Sequence, residues 1–131
     1  MKNPTTPTVA RCLLGGVFVL FGLNGFLHFL PIPPARPAAE QMIGALVQTG
    51  YFFQMVKTIE IAGGVLLLAN RLVPLALVLL APLLVGITSI HVFLNPEGLP
   101  LMAVLLLLHG FLVRGYWAYF VSVLTPKAVP R

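Results

Sequence analysis

Four long stretches of apolar residues, separated by short groups of proline, glycine and polar residues, make up most of this chain. Each stretch contains about twenty residues, the length that an α-helix needs to cross the ~30 Å hydrocarbon layer of a bilayer. We therefore predict an all-α fold in a single transmembrane domain, residues 1–131. It would be a membrane-embedded four-helix bundle, and its spans are expected at about 9–30, 51–71, 72–95 and 99–124.

A shorter amphipathic segment follows the first predicted span. The proline-rich residues 31–37 cannot continue a helix, because proline lacks the amide donor and clashes with the preceding turn. After them, Met42, Ile43, Leu46 and Val47 fall on one face of a predicted helix over 38–49. This helix is too short and too polar to span a bilayer, so we expect it at the membrane surface or across the mouth of the bundle.

The composition agrees with a membrane protein and excludes several other classes. The chain is 59% hydrophobic and only 8% charged, with a mean hydropathy of +1.00, whereas about a quarter of the residues of a soluble protein are charged. The formal net charge of +5 does not indicate nucleic-acid binding, because the basic residues are scattered at segment ends and form no stripe. Cys12 is the only cysteine, which excludes an internal disulfide and a C-x-x-C redox motif. We expect it to be buried.

The distribution of basic residues predicts the orientation in the membrane. Arg36 alone lies near one side of the predicted spans, and the other side receives the remaining basic residues outside the span interiors: Lys2, Arg11, Arg71, Arg114, Lys127 and Arg131. The positive-inside rule then predicts a multi-pass protein of the bacterial inner membrane with both termini in the cytoplasm. The first apolar run is longer than a signal-peptide core, so we expect it to remain as a span.

The second span carries the strongest candidate for a functional site. Lys57 and Glu60 are three residues apart, on one side of the predicted helix. An isolated charge at the centre of a bilayer costs about 2.5–3.5 kcal/mol by insertion scales, so such residues usually face the protein interior and pair. The pair either forms the floor of a ligand site or acts as a structural clamp that fixes the register of the helices.

Further polar residues are expected at a similar depth, in the outer half of the bundle. They come from all four spans, and they are Asn24, His28, Gln54, Thr88, His91, Asn95 and His109. Together with Lys57 and Glu60 they are our candidate ligand-binding residues, while Asn24 and Asn95 are also typical of interhelical hydrogen bonds. We expect the inner half to be almost free of polar side chains.

Other kinds of chemistry find little support in the sequence. No two histidines share a predicted span and no E-x-x-H spacing occurs, so we predict no metal site. A nucleophile paired with a base, a phosphate-binding loop and a dinucleotide fingerprint are missing as well, so no residue is assigned a catalytic role. No cofactor is required, and a quinone is the candidate ligand.

Several short motifs together resemble the DoxX-like family of small four-span membrane proteins. They are Arg11-x-x-Leu14-Gly15, Gly22-x-Asn24-Gly25-Phe26, Gly50-Tyr51, Lys57-x-x-Glu60-x-x-Gly63-Gly64-x-Leu66-Leu67-Leu68, Arg71-x-x-Pro74, Pro82 and His91. The resemblance implies a four-helix bundle, often with a short helix after the first span. It implies no single function, because some relatives are named for quinone-linked sulfur oxidation, others are linked with membrane redox and oxidative-stress complexes, and distant eukaryotic relatives act as chaperones or cargo receptors.

We therefore expect an accessory membrane protein rather than an enzyme that acts alone. Its outward-facing polar pocket around Lys57 and Glu60 would bind a quinone, a lipid or a partner's membrane segment. The alternative is a subunit of a quinone-linked membrane oxidoreductase. The expected partners are the lipid bilayer and a membrane redox complex or client membrane protein, and the glycine face of the first span, with Gly15 and Gly22, suggests a homodimer.

Overall fold

The computed structural model describes residues 5–131, and within that range the regular structure is entirely helical. Lys2, which contributed to the predicted orientation, lies outside the described residues. A 3₁₀ turn, Pro96–Gly98, links the fourth helix to the fifth. The helices in chain order are α1 (Thr5–Leu27), α2 (Pro37–Gln48), α3 (Phe52–Leu68), α4 (Val73–Phe93), α5 (Leu99–Gly115) and the short α6 (Trp117–Phe120).

Three helical segments are long and apolar enough to cross a membrane. They are α1, α4 and the combined segment Pro96–Gly115, judged by length and composition. Helices α2 and α3 pass the same test only as a pair, and the two are bent by 94° at the break between them. Residues 5–131 therefore contain three candidate spans, or four if the bent pair forms one, as expected of a multi-pass membrane protein.

Four helices pack around a common core. Helix α1 packs along most of α3, α3 packs on α4, α4 on α5, and α5 returns to α1, so that they form a closed ring. Helix α2 lies outside this ring, against α3. The most deeply buried apolar side chains come from all four helices of the ring: Leu14, Leu67, Leu77, Leu80, Leu84 and Leu112.

The contact between α1 and α3 depends on glycine. A Cβ atom on Gly15 would lie 2.8 Å from the carbonyl oxygen of Gly64, and one on Gly64 would lie 2.7 Å from that of Gly15. Gly22 packs against Ile61 in the same way. Small residues allow such close approach of two helices. The glycine face that suggested a homodimer is therefore covered by α3 of the same chain, and it is not free to bind a second copy.

All four helices of the ring end earlier than the apolar pattern predicts, as α1 and α5 show. Helix α1 begins at Thr5 and ends at Leu27 instead of about residue 30, and His28 adopts a left-handed conformation with φ of 52°. Helix α5 ends at Gly115 instead of near 124, and a non-helical Tyr116 separates it from α6. Hydropathy alone does not show these breaks, because the residues that follow each helix are also apolar.

The two ends of the ring differ in charge. We call one the basic end: α1 begins there, the turn 69–72 connects α3 to α4, and α5 ends, with Arg71 and Arg114 exposed. The other, the proline end, contains the connections 28–36 and 94–98. Cys12, which we expected to be buried, is exposed on the outer side of α1 near the basic end.

Candidate functional site

Lys57 and Glu60 form the predicted ion pair on α3. The Nζ atom of Lys57 lies 3.2 Å from Oε2 and 3.4 Å from Oε1 of Glu60. The side chain of Glu60 is only 2% exposed, whereas that of Lys57 is 18% exposed. The carboxylate is thus enclosed by the bundle, and the lysine side chain lies at the boundary between the interior and the surface.

Neighbouring residues hold the lysine side chain in place. Its aliphatic stem crosses Gly25 of α1, where an added Cβ atom would lie 2.6 Å from Cγ of Lys57. On α3 itself, Nζ lies 5.3 Å from the centre of the Phe53 ring, within the range of a cation–π interaction. A glycine on one helix and an aromatic ring on the other therefore direct the ammonium group toward Glu60.

Asn24 and Thr88 lie at nearly the same depth as the ion pair. Asn24 stands between Gly22 and Gly25, both of which contact α3 around Lys57. Gly63 packs on Leu80, and from that contact Lys57 lies ~9 Å and Thr88 ~12 Å toward the proline end, at ~1.5 Å per residue. We call these four residues, Asn24, Lys57, Glu60 and Thr88, the polar layer.

Asn24 stabilises the turn after α1. It is 5% exposed, and its side-chain oxygen accepts a hydrogen bond of 2.7 Å from the backbone N–H of Leu30. Its backbone carbonyl accepts the N–H of His28. Asn24 thus bonds to its own connection, where the sequence suggested a bond to another helix.

Thr88 contributes a hydroxyl group that the described part of the chain does not satisfy. Its Oγ1 atom is buried and has no hydrogen-bond partner among residues 5–131. A threonine in a helix often bonds to the carbonyl one turn earlier. An unsatisfied buried hydroxyl costs about 1–3 kcal/mol, so Thr88 is the member of the polar layer with the strongest need for a further polar contact.

The other five candidate residues lie apart from the polar layer, four of them near the proline end. His28 and Gln54 are exposed. The ring of His91 lies against Gly98, with its Nδ1 atom 3.1 Å from the carbonyl oxygen of Asn95. The side-chain oxygen of Asn95 accepts the N–H of Arg36, whose guanidinium group forms an exposed ion pair of 2.8 Å with Glu97. These contacts join the two connections at the proline end.

His109 lies closer to the basic end than expected. Its Nε2 atom is 2.9 Å from the carbonyl oxygen of Leu77, about 6 Å from the start of α4. Because a carbonyl oxygen only accepts, Nε2 must carry the proton and donate. The sequence predicts His109 in the outer layer, about 15 Å from the outer end of its helix; because α5 ends at Gly115, His109 is also only ~9 Å from the opposite end. Its bond ties α5 to α4.

Arg11 is a buried polar residue that is not among the predicted site residues, although it belongs to the motifs of the resemblance and to the topology signals. It is 8% exposed, and its guanidinium group donates to the carbonyl oxygens of Leu67 and Leu68 at the end of α3. The same helix end is closed by Asn70, which has φ of 54° and donates to Leu67. A cation is favourable there, because the last carbonyl groups of a helix lack internal partners and carry partial negative charge. The spacing of Arg11 one turn before Gly15 could have indicated that it faces α3.

Two of the open grooves on the surface of the described residues are prominent, and neither is lined by Lys57 or Glu60. The first runs along α2 and is lined by Pro37, Glu40, Gln41, Gly44, Ala45 and Gln48. The second lies between α1 and α5 near the basic end. The ion pair itself belongs to the buried polar layer, in which the side chain of Lys57 is partly exposed.

The described residues contain no group of three or more histidine, cysteine or acidic side chains that could hold a metal ion. The chain matches no family model, no curated protein and no solved structure. What the polar layer can do must therefore be inferred from its own geometry, in which an ammonium group and a hydroxyl group both offer hydrogen-bond donors inside an apolar bundle.

Proposed function

We propose that this chain is a small accessory membrane protein of the DoxX-like type, in which the polar layer binds an oxygen-bearing polar group of a quinone or a lipid. In this proposal α3 is the second of four spans, with α2 bent away from it at the membrane surface, the four spans form a bundle in the bacterial inner membrane, and both termini are cytoplasmic. The proline end would then face outward. Helix α2, outside the ring and against α3, would lie at the outer membrane surface.

The observation that carries the proposal is the unequal burial of the ion pair. An ammonium group has three donor hydrogens, and the two oxygens of Glu60 can accept two of them. Since the side chain of Glu60 is 2% exposed and that of Lys57 is 18% exposed, the proposal places the remaining donor on the accessible side of the pair. A ligand oxygen that approached from that side would bind without displacing the carboxylate.

Thr88 supports the same chemistry from the neighbouring helix. Its buried hydroxyl lies at nearly the depth of Lys57 and has no partner in the described chain. Quinone carbonyl groups and lipid phosphate groups both accept hydrogen bonds, and both belong to molecules with long apolar parts that suit a lipid-facing bundle. The proposed ligand is therefore amphipathic and presents an acceptor to Lys57 and Thr88.

Two other functions use the same residues and differ in what they predict. A subunit of a quinone-linked oxidoreductase would reduce or oxidise quinone when purified with an electron donor, whereas the accessory role predicts binding alone. A structural clamp is favoured by the packing of the Lys57 stem against Gly25, and it predicts that the pair is needed for stability but not for any ligand.

The test is to purify the protein in mild detergent and to identify the extracted small molecules by mass spectrometry, for the native chain and for a Lys57→Met, Glu60→Leu variant. We expect a stoichiometric quinone or lipid in the native protein and its loss in the variant. The matched control is Arg36→Met, Glu97→Leu, which removes the exposed ion pair at the proline end. Equal ligand content in the native protein and the Lys57–Glu60 variant would rule out the proposal and leave the clamp.

A further inference from the structure

The groove between α1 and α5 is an apolar surface with a defined position and length. It has a volume of about 410 Å³, and its lining residues are Thr5, Thr6, Val9, Ala10, Leu13, Leu108 and Phe111. Ala10 forms the buried floor, while the side chains of Val9, Leu13 and Phe111 are about half exposed. The groove thus lies on the outside of the helical ring, far from the polar layer.

One end of the groove is polar, and a basic residue lies near it in sequence on α5. Thr5 and Thr6, the hydroxyl-bearing residues of its lining, lie where α1 begins, at the basic end. Arg114 is exposed and follows Phe111 by three residues, so it lies on the same side of α5 and one turn closer to that end. An occupant should therefore combine an apolar part along Val9 and Leu13 with an anionic group near Arg114.

The length of the groove favours an acyl chain over a helix of a partner protein. From Thr5 to Leu13 α1 rises ~12 Å, close to the depth of one leaflet in a hydrocarbon layer of ~30 Å. A transmembrane partner helix would need a surface across both leaflets. We propose that this groove binds one acyl chain of an anionic phospholipid from the leaflet at the basic end, with the headgroup phosphate held by Arg114.

Native mass spectrometry can test this site. The protein would be stripped of lipid, incubated with equal amounts of phosphatidylglycerol and phosphatidylcholine of the same chain length, and analysed for bound phospholipid. We expect one phosphatidylglycerol per chain, retained at least about fivefold over phosphatidylcholine. Val9→Trp, which fills the groove, should abolish retention, whereas Arg114→Gln should keep an acyl chain bound but remove the preference for the anionic headgroup.

Matched controls separate this site from general lipid adsorption. Val85→Trp adds the same bulk at an exposed position of α4, and Arg71→Gln removes another exposed charge at the basic end. Both controls should retain the lipid and its headgroup preference. Equal retention of the two lipids by the native protein, no retained lipid at all, or retention that survives Val9→Trp would overturn the proposal. None of these results depends on Lys57 or Glu60, so they test the phospholipid site independently of the ligand proposed for the polar layer.

The same preference should be visible in a bilayer, because Trp117 is the only tryptophan and lies just beyond Arg114. In vesicles of phosphatidylcholine, brominated phosphatidylglycerol should quench Trp117 more strongly than the same mole fraction of brominated phosphatidylcholine. The difference should disappear in Arg114→Gln and persist in Arg71→Gln. Equal quenching by the two brominated lipids in the native protein would contradict the proposed headgroup contact.

Discussion

Gly15 of α1 and Gly64 of α3 lie back to back, and the carbonyl oxygen of each occupies the place where a side chain of the other would begin. This contact sets the distance between the two helices that pack most extensively on each other. The packing of the Lys57 stem on Gly25 and the bonds of Arg11 to the end of α3 occur between the same two helices.

Substitution at this contact should separate the two helices. We expect Gly64→Ala to destabilise the protein by about 1–3 kcal/mol, the usual cost of overpacking, because the new methyl group would meet backbone atoms that cannot move freely. Gly16→Ala is the control, since nothing lies within 4 Å of a Cβ atom there. Thermal unfolding in detergent should show a lower Tm for the first variant and an unchanged or higher Tm for the second. Equal Tm values would mean that α1 and α3 are not held by this contact.

The Lys57–Glu60 pair should be far more sensitive to single than to double substitution. Lys57→Met leaves a carboxylate enclosed without a partner, and breaking a buried pair in this way costs about 3–5 kcal/mol. Glu60→Leu should cost less, because Lys57 is partly exposed and can turn toward the surface. In the double variant neither charge remains, so its stability should approach that of the native chain. Denaturant titration of all four proteins gives the coupling energy, and additive effects would show that the two residues do not interact.

Thr88 allows ligand binding to be separated from folding. Thr88→Val keeps the side-chain shape but removes the unsatisfied hydroxyl, so the ligand-free protein should be as stable as the native chain or more stable by about 1–3 kcal/mol. If the hydroxyl binds the ligand, the same variant should retain less of it after purification. Ser89→Ala is a suitable control, because that hydroxyl is exposed and bonds to the carbonyl of Gly86. Full ligand retention by Thr88→Val would remove Thr88 from the site.

Arg11 should contribute to stability through the end of α3. Hydrogen bonds to charged groups contribute about 1.5–3 kcal/mol, so we expect a loss of that size in Arg11→Met, where the carbonyl groups of Leu67 and Leu68 lose their donor. Arg71→Met, at an exposed position of the next turn, should change stability little. Thermal unfolding in detergent measures both. A variant of Arg11 as stable as the native chain would show that other donors replace the guanidinium group.

His109 should affect the packing of α5 on α4 and nothing in the polar layer. Interhelical hydrogen bonds in membrane proteins contribute about 0.6 kcal/mol on average and up to about 1.7 kcal/mol, and His109→Leu should lose an amount in that range. The ligand extracted from this variant should match that of the native protein. Loss of the ligand without loss of stability in His109→Leu would show that His109 takes part in ligand binding.

The apolar runs predicted the helices well, and the spacing of Lys57 and Glu60 predicted their contact. These features depend on neighbours along one helix, which periodicity describes directly. The grouping of the polar residues was harder to predict, because it depends on where each helix stops. His28 and Asn95 follow the last residues of α1 and α4. His109 lies nearer the basic end because α5 stops at Gly115.

Arg11 shows a second limit of reading one segment at a time. A basic residue near the start of an apolar run usually marks the membrane surface. Arg11 is buried instead, because its guanidinium group donates to carbonyl oxygens at the end of a different helix, α3. The groove between α1 and α5 likewise could not be predicted from the sequence, since its walls come from segments about a hundred residues apart in the chain. Both features arise from the closure of the helical ring.

The bend between α2 and α3 has a consequence for the surrounding bilayer. Because α3 has 17 residues, it rises only ~26 Å, less than a hydrocarbon layer of ~30 Å. Within the proposed bundle, a helix of that length is matched by local thinning of the membrane or by drawing the polar turn before Tyr51 inward, at a cost of fractions of a kcal/mol for each ångström. Hydrophobic mismatch at α3 would thus favour thin membranes, and lipids with short acyl chains would gather beside this helix.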